Sequence, residues 1–267
     1  MHSAEIHQES RRLWLVSGTG EGPVLAHRLL AMGWQLTVSV VTPAAALAYP
    51  AAAELTLQVG ALAGEAGVAA VLATARAAGH PYAVVVDASH PFASRVSRDL
   101  AAVCARQHQR LLRLLRPALA GPATLLAGLE DLAGLPLAGQ HLLLAIGARK
   151  LRAAVIRSHG ARHHARLLPS ANALQQAMAA GLEPERVACL RPASGWEVER
   201  ALMRRWRITT VLARQSGGAT EQLWRDVCGR EGASLLLLRR PEEPVAGSGL
   251  ELAPLLATLE SQLPPRR

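Results

Sequence analysis

Leu13-Trp14-Leu15-Val16-Ser17-Gly18-Thr19-Gly20-Glu21-Gly22-Pro23 is a short apolar run that breaks into glycines and then opens a second apolar segment. Residues 13–17 read as a buried strand, by length and by the turn residues that follow. Residues 23–32 read as a helix, with proline in its first turn where a missing N–H costs nothing. Glycines at such a junction let the backbone approach a phosphate, and the helix start offers free N–H groups and a positive dipole end. A full dinucleotide fingerprint would place a third glycine where Pro23 stands, and a strand–turn–helix junction can need glycine for steric reasons alone. Both readings stay open on these residues.

The same alternation runs outward along the chain. Residues 35–42, 55–59, 83–87 and 110–114 read as further strands, with helices at 64–78 and 93–107 between them. A second series follows, with strands at 141–146, 163–168, 186–190, 209–213 and 234–238. Its helices lie at 148–157, 171–180, 196–205 and 221–230, and a last one at 251–263. Strand–helix alternation implies parallel sheets covered on both faces. The predicted fold is α/β, with two Rossmann-like domains, mainly parallel sheets and an interdomain cleft. The Gly-, Pro- and Ala-rich stretch 115–140 is the expected seam. The domains are placed at 12–135, with the glycine-rich cofactor loop, and 136–245, with a Ser-Gly-Gly turn, followed by a C-terminal helix and tail at 246–267.

Composition narrows the class. Half of the 267 residues are hydrophobic, so the chain has a core to bury and is not disordered. No apolar run reaches the roughly 20 residues of a membrane span, and the first twelve residues lack the apolar stretch of a signal peptide. Three scattered cysteines, Cys104, Cys189 and Cys228, fit a cytoplasmic protein without disulfides. The net charge of +9 is lopsided: residues 1–135 hold 10 basic and 9 acidic side chains, and residues 136–267 hold 19 and 11. No acid lies between Asp131 and Glu183, where Arg149, Lys150, Arg152, Arg157, Arg162 and Arg166 all fall. That stretch reads as an anion-binding surface, with a solvated helix face and compositional drift as the bland alternative. His159, His163 and His164 lie in it without cysteine or carboxylate partners, so no metal site is expected.

Three further motifs stand at strand ends. The second strand ends in Ser39-Val40-Val41-Thr42, without the acid that often holds the ribose of NAD, which leans toward NADP. The fourth ends in Asp87-Ala88-Ser89-His90-Pro91-Phe92-Ala93, readable as crevice-facing polar groups or as a capped helix start. Adjacent Ser89 and His90 cannot easily form a hydrolase relay, and no G-x-S-x-G elbow exists. Arg214-Gln215-Ser216-Gly217-Gly218 reads as an anion nest beside a fixed cation, or as a simple turn.

In order and spacing, these motifs resemble the precorrin-6A reductases of corrin biosynthesis. The resemblance rests on Ser17 to Gly22, on Asp87 to Ala93, and on Arg113-Leu114-Leu115-Arg116-Pro117. It continues through Ile146-Gly147-Ala148-Arg149 and from Arg214-Gln215-Ser216-Gly217-Gly218 to Arg239-Arg240-Pro241, and so spans residues 12–241. The chain departs from the family pattern at Ser17, usually glycine, at Gly22, often alanine, at Ser89, commonly threonine, and at Arg214, usually lysine. The resemblance implies a two-domain reductase of cobalamin biosynthesis that uses NADPH, or NADH in some relatives, to convert precorrin-6A or its cobalt form to precorrin-6B. It implies a cofactor site at Ser17, Gly18, Thr19, Glu21, Thr42, Asp87, Ser89, His90 and Pro91, joined by Arg214, Ser216, Gly217 and Gly218. Arg113, Arg116 and Arg149 are expected at carboxylates of the tetrapyrrole. His90 is the expected proton donor, because its ordinary pKa lies nearest neutrality.

Two other classes compete. A tetrapyrrole lyase or synthase without a redox cofactor would explain the basic surface but not the paired glycine turns. A nucleic-acid-binding protein is suggested only by charge, and the 3% aromatic content and absence of a helix-turn-helix or finger pattern argue against it. No nucleic-acid or membrane partner is expected. Monomer and small homo-oligomer both stay open.

Overall fold

The structure is a computed structural model that describes residues 11–18, 20–191, 195–243 and 249–262. It is built from two compact α/β units: the chain leaves the first after Arg116, forms the second from Pro117 to Arg240, and returns to the first at Pro241. Both crossings are Arg–Pro steps, and proline biases the residue before it toward extended backbone, which suits a connection better than a helix.

In chain order the first unit begins with β1 (Arg12–Ser17), α1 (Gly22–Met32), β2 (Gln35–Val40), α2 (Pro43–Ala46) and β3 (Leu55–Val59). It continues with α3 (Gly64–Ala77), β4 (Val84–Ala88), α4 (Ser94–Arg106) and β5 (Leu111–Leu114). The second unit comprises β6 (Thr124–Leu126), β7 (His141–Leu144), α5 (Leu151–Arg157), β8 (Arg162–Leu167), α6 (Ala171–Ala179) and β9 (Val187–Cys189). It is completed by α7 (Glu197–Trp206), β10 (Thr210–Arg214), α8 (Ala219–Glu231) and β11 (Ser234–Leu238). Back in the first unit lie β12 (Gly249–Leu250) and α9 (Leu252–Glu260).

The first sheet has the order β3-β2-β1-β4-β5-β12 and every pairing is parallel. This is the doubly wound arrangement, and its strand order reverses between β1 and β4. Period-two alternation decides which face each side chain enters. Leu13, Leu15, Val84 and Val86 pack with Leu25 and Leu29 of α1 and with Leu255 and Leu259 of α9. Trp14, Val16 and Val85 point the other way, onto Val68 and Leu72 of α3 and Leu100 and Val103 of α4.

The second sheet repeats the scheme, in the order β9-β8-β7-β10-β11-β6, again all parallel. Its reversal lies between β7 and β10. Leu143, Val211 and Leu237 pack with Met203 of α7 and with Trp224 and Val227 of α8. In each sheet the outermost strand beyond the fifth comes from outside the five-strand series: β12 from downstream and β6 from upstream.

The α/β class with two parallel sheets is therefore observed, while the boundaries differ from expectation. The break falls at Arg116 rather than 135, because the supposed seam supplies β6 and a 3-10 turn at Leu129–Gly134 to the second unit. The expected tail at 246–267 carries β12 and α9, which belong to the first unit. Thr42 ends no strand: β2 stops at Val40, and the Thr42 side chain caps α2, its Oγ1 accepting the Ala45 N–H at 3.2 Å.

Candidate functional site

Ligands of open α/β sheets bind outside the carboxyl ends of the strands where the order reverses. In the first unit that place is framed by the loop after β1 and the loop after β4. Gly22 begins α1, and a Cβ there would lie 2.1 Å from Ser17 Oγ and 2.2 Å from the Tyr49 hydroxyl oxygen, so with Ser17 and Tyr49 in place there is no room for a side chain. Tyr49 donates to the Gly18 carbonyl at 2.6 Å and so fixes the loop from below. Gly18 itself is exposed, and a Cβ on it would meet nothing within 4 Å. Glu21, at the N-cap of α1, makes no side-chain capping bond. An open backbone face next to helical N–H groups that the Glu21 side chain leaves uncapped fits the pyrophosphate of a dinucleotide. Thr19, expected in this loop, lies outside the described residues.

The polar groups after β4 are mostly tied to one another. Asp87 is 1% exposed; its Oδ1 accepts the Ser89 N–H at 2.9 Å and its Oδ2 accepts Arg113 Nη1 at 2.5 Å. Arg113, 5% exposed, also donates from Nη1 to Ser97 Oγ at 2.7 Å and from Nε to Glu243. Its pKa is pulled in two directions: burial lowers it, and the carboxylates of Asp87 and Glu243 more than compensate, so the net shift is upward. Ser89 Oγ bonds Ser97 Oγ at 3.2 Å. Arg113, expected at a substrate carboxylate, is thus buried between two carboxylates of its own chain. Asp87 and Ser89 are structural partners of it, and Pro91 is buried beside them.

His90 alone of this motif is well exposed. Its Nδ1 accepts the Phe92 N–H at 3.2 Å, which leaves Nε2 as the nitrogen that carries the proton. Glu21, at the foot of α1, accepts from Arg116 Nη2 at 2.6 Å. Burial pushes the Glu21 carboxyl upward, but the Arg116 guanidinium outweighs it, helped by the loop backbone and by the His90 charge, so the net pKa lies below the ordinary value. The ends of β1, β4 and β5 thereby bring Glu21, His90 and Arg116 into one electrostatic neighbourhood.

The second unit repeats the geometry at its own reversal. Arg214 ends β10, and a Cβ on Gly147, whose φ is +83°, would lie 2.9 Å from Arg214 Nη2, so only glycine fits there. Burial and the charge of Arg149 both lower the Arg214 pKa. The nest expected at Ser216 to Gly218 is largely filled from within. Ser216 N–H donates to the Arg214 carbonyl at 2.8 Å, and Gly217 N–H donates to Glu221 Oε2 at 2.7 Å. Glu221 is fully buried and also pairs with Arg225 at 2.9 Å, so its carboxylate occupies the place of a nest anion. Sequence reading missed Glu221 and Tyr49; neither sits in the motif it serves.

The acid-free basic stretch divides three ways. Arg149, Lys150 and Arg152 are exposed at the carboxyl end of β7 and the start of α5, on the ligand-binding edge of the sheet. Arg157 and Arg162 stand at the opposite edge, where α5 ends and β8 begins, so they cannot share a surface with Arg149. Arg166 is an internal partner of Glu199 at 2.9 Å. Among the described residues no cluster of three or more His, Cys, Asp or Glu could hold a metal ion, and no helix is long and apolar enough to cross a membrane.

Residues 12–259 match the family model described as precorrin-6x reductase CbiJ/CobK. This chain belongs to that family. A cobalt-precorrin-6A reductase of Synechocystis sp. is 34% identical over 239 residues, covering 86% of this chain and 88% of that protein. A precorrin-6A reductase of Rhodobacter capsulatus is 30% identical, covering 87% and 89%. Among solved structures, a CobK precorrin-6A reductase superposes with a TM-score of 0.76 at 25% identity, covering 94% of this chain and 96% of that one. The relatives are named as reductases that act on a corrin precursor, and the lyase and nucleic-acid alternatives are not favoured.

Proposed function

We propose that this protein reduces precorrin-6A, or its cobalt-containing form, to precorrin-6B, using NADPH. The observation that carries the reading is the meeting of the open glycine loop, Glu21, His90 and Arg116 at the β1/β4 reversal in a chain of this family. A bound nicotinamide supplies the hydride, so the protein needs no nucleophile. Its own residues bind, orient and supply one proton. Gly18 and the first turn of α1 hold the pyrophosphate, and Ser17 flanks it. NADPH is preferred to NADH because β2 ends without an acid to hold a free ribose hydroxyl.

His90 holds the proton at Nε2, facing solvent and substrate rather than its own backbone. Asp87, Ser89 and Pro91 fix the turn that aims it, and Arg113 acts through Asp87 rather than on the substrate. Arg149, with Lys150 and Arg152 beside it, takes carboxylates of the ring through charge-assisted bonds. In the second unit, Arg214 adds a cation at the end of β10, while Ser216, Gly217 and Gly218 shape a turn whose inner anion is Glu221. The cytoplasmic setting belongs to the same proposal: Cys104, Cys189 and Cys228 are free, and burial pushes the thiols of Cys104 and Cys228 up to about 11 and about 12.

Anaerobic incubation with NADPH and either the metal-free or the cobalt-loaded ring, followed by absorbance, tests the reading and separates the two substrates. No loss of NADPH absorbance with either ring would sink it. His90→Gln should abolish the pH dependence of turnover near neutrality, and Arg149→Gln should raise KM for the ring while cofactor binding is unchanged.

A further inference from the structure

The two units each set a glutamate at the start of the helix that follows a reversal-point loop, and the two are held very differently. Glu221 is fully buried, with both its Gly217 and Arg225 partners internal, so nothing from solvent can replace it. Glu21 is part-exposed, at 30% of its side-chain surface, and the guanidinium of Arg116 is its one side-chain partner among the described residues. It makes no capping bond to α1. Its carboxylate is therefore at a helix start that it does not cap, bonded to a cation, as a phosphate there would be.

Arg116 is placed for such an exchange. Its side chain is 10% exposed, and a Cβ on Gly20 would come within 3.9 Å of Nη2, so the guanidinium lies along the glycine loop itself. Guanidinium recognises carboxylate and phosphate with the same planar fork. A pyrophosphate brought against an ionised Glu21 would meet like charge, and the low pKa of Glu21 means that it stays ionised at neutral pH.

We propose that Glu21 is a displaceable counter-ion: it holds Arg116 against the glycine loop, and Arg116 passes from the Glu21 carboxylate to the cofactor pyrophosphate when the dinucleotide binds. This rests on the cofactor site proposed above, and it moves Arg116 from the substrate to the cofactor. Glu21 is then a positioning residue whose carboxylate competes with the ligand. Its removal should strengthen binding, an outcome that a merely structural ion pair would not give.

The test is fluorescence or calorimetric titration of NADPH and of inorganic pyrophosphate into the full-length wild type, Glu21→Gln, Arg116→Gln and the double variant, with melting temperature as a check on folding. Glu21→Gln should bind both ligands about five- to tenfold tighter, a change of one ion-pair contact in a half-buried place. Arg116→Gln should bind both at least about tenfold more weakly, and the double variant should match Arg116→Gln. Weaker or unchanged binding by Glu21→Gln overturns the exchange, as does a gain that persists without Arg116. If the wild type binds neither NADPH nor NADH, the cofactor reading itself fails. If Arg116→Gln does not fold, Arg116→Lys serves, and it should keep the sign of the Glu21→Gln effect at reduced size.

Discussion

Acidification from about pH 7.5 to about pH 5 should weaken the second unit through a single buried ring. His164 lies on β8, 5% exposed, stacked on His141 at 5.5 Å between ring centres and tilted against Trp206 of α7 at 5.0 Å. Neither of its ring nitrogens has a hydrogen-bond partner among the described residues. Burial lowers its pKa from 6.5 to about 4, and the charges of His141, Arg186 and His163 push the same way. Two residues on along β8, Arg166 pairs with Glu199 at 2.9 Å, while Arg166 Nε and Glu199 Oε2 have no hydrogen-bond partner among the described residues.

The sign follows from linkage. The folded pKa is below the unfolded one, so the unfolded chain takes up the proton first. The contribution is complete above the unfolded value, falls as the pH drops through 6.5, and has been lost once the pH passes the folded value near 4. The full loss is about 3 kcal/mol, and about 2 kcal/mol of it has gone by about pH 5. His163, lowered chiefly by burial, adds to the loss with the same sign. Urea unfolding followed by tryptophan fluorescence, at both pH values, should show His164→Phe losing about 2 kcal/mol less than the wild type on acidification. Hydrogen exchange should show α7 as the element released. Equal acid sensitivity of wild type and His164→Phe would refute the assignment.

Four other outcomes are expected. Gly22→Ala, which drives a methyl into Ser17 Oγ and the Tyr49 hydroxyl, should cost about 1–3 kcal/mol in urea unfolding. Gly18→Ala, with open space around it, should leave stability within about 0.5 kcal/mol and still weaken NADPH binding in a titration. Arg113→Met strands the buried Asp87 carboxylate and should cost about 3–5 kcal/mol, with Asp87→Asn in the same chain recovering part of it in a double-mutant cycle. Leu255→Ala, at a fully buried position on α9, should lower stability by about 2–5 kcal/mol and show that this last helix belongs to the first core.

Much of the fold was legible because ten of its strands repeat one local signal: a short apolar run, a turn, a helix. The residues 55–59 and 234–238 read from sequence are the strands found. β6 and β12 were not legible. Three and two residues are too few to show a period, and each is a strand only because a parallel neighbour accepts it. At the site, the loops could be read and their wiring could not. Nothing local to Arg113 says that its partner is Glu243, 130 positions away. The acid-free stretch looked like one surface because charge along a sequence carries no direction, whereas Arg149, just before α5, and Arg157, at its end, stand at opposite edges of the sheet.

The position of β12 also sets an order of assembly on the ribosome. Gly249 and Leu250 pair with Arg113 and Leu114, so the outer edge of β5 waits for a strand made 136 residues later. At about 5–20 residues per second, that is roughly 7–30 seconds of synthesis. The inserted unit has all of its own strands before then, while the first waits with an open edge, able to pair with the wrong chain, until the returning segment closes it.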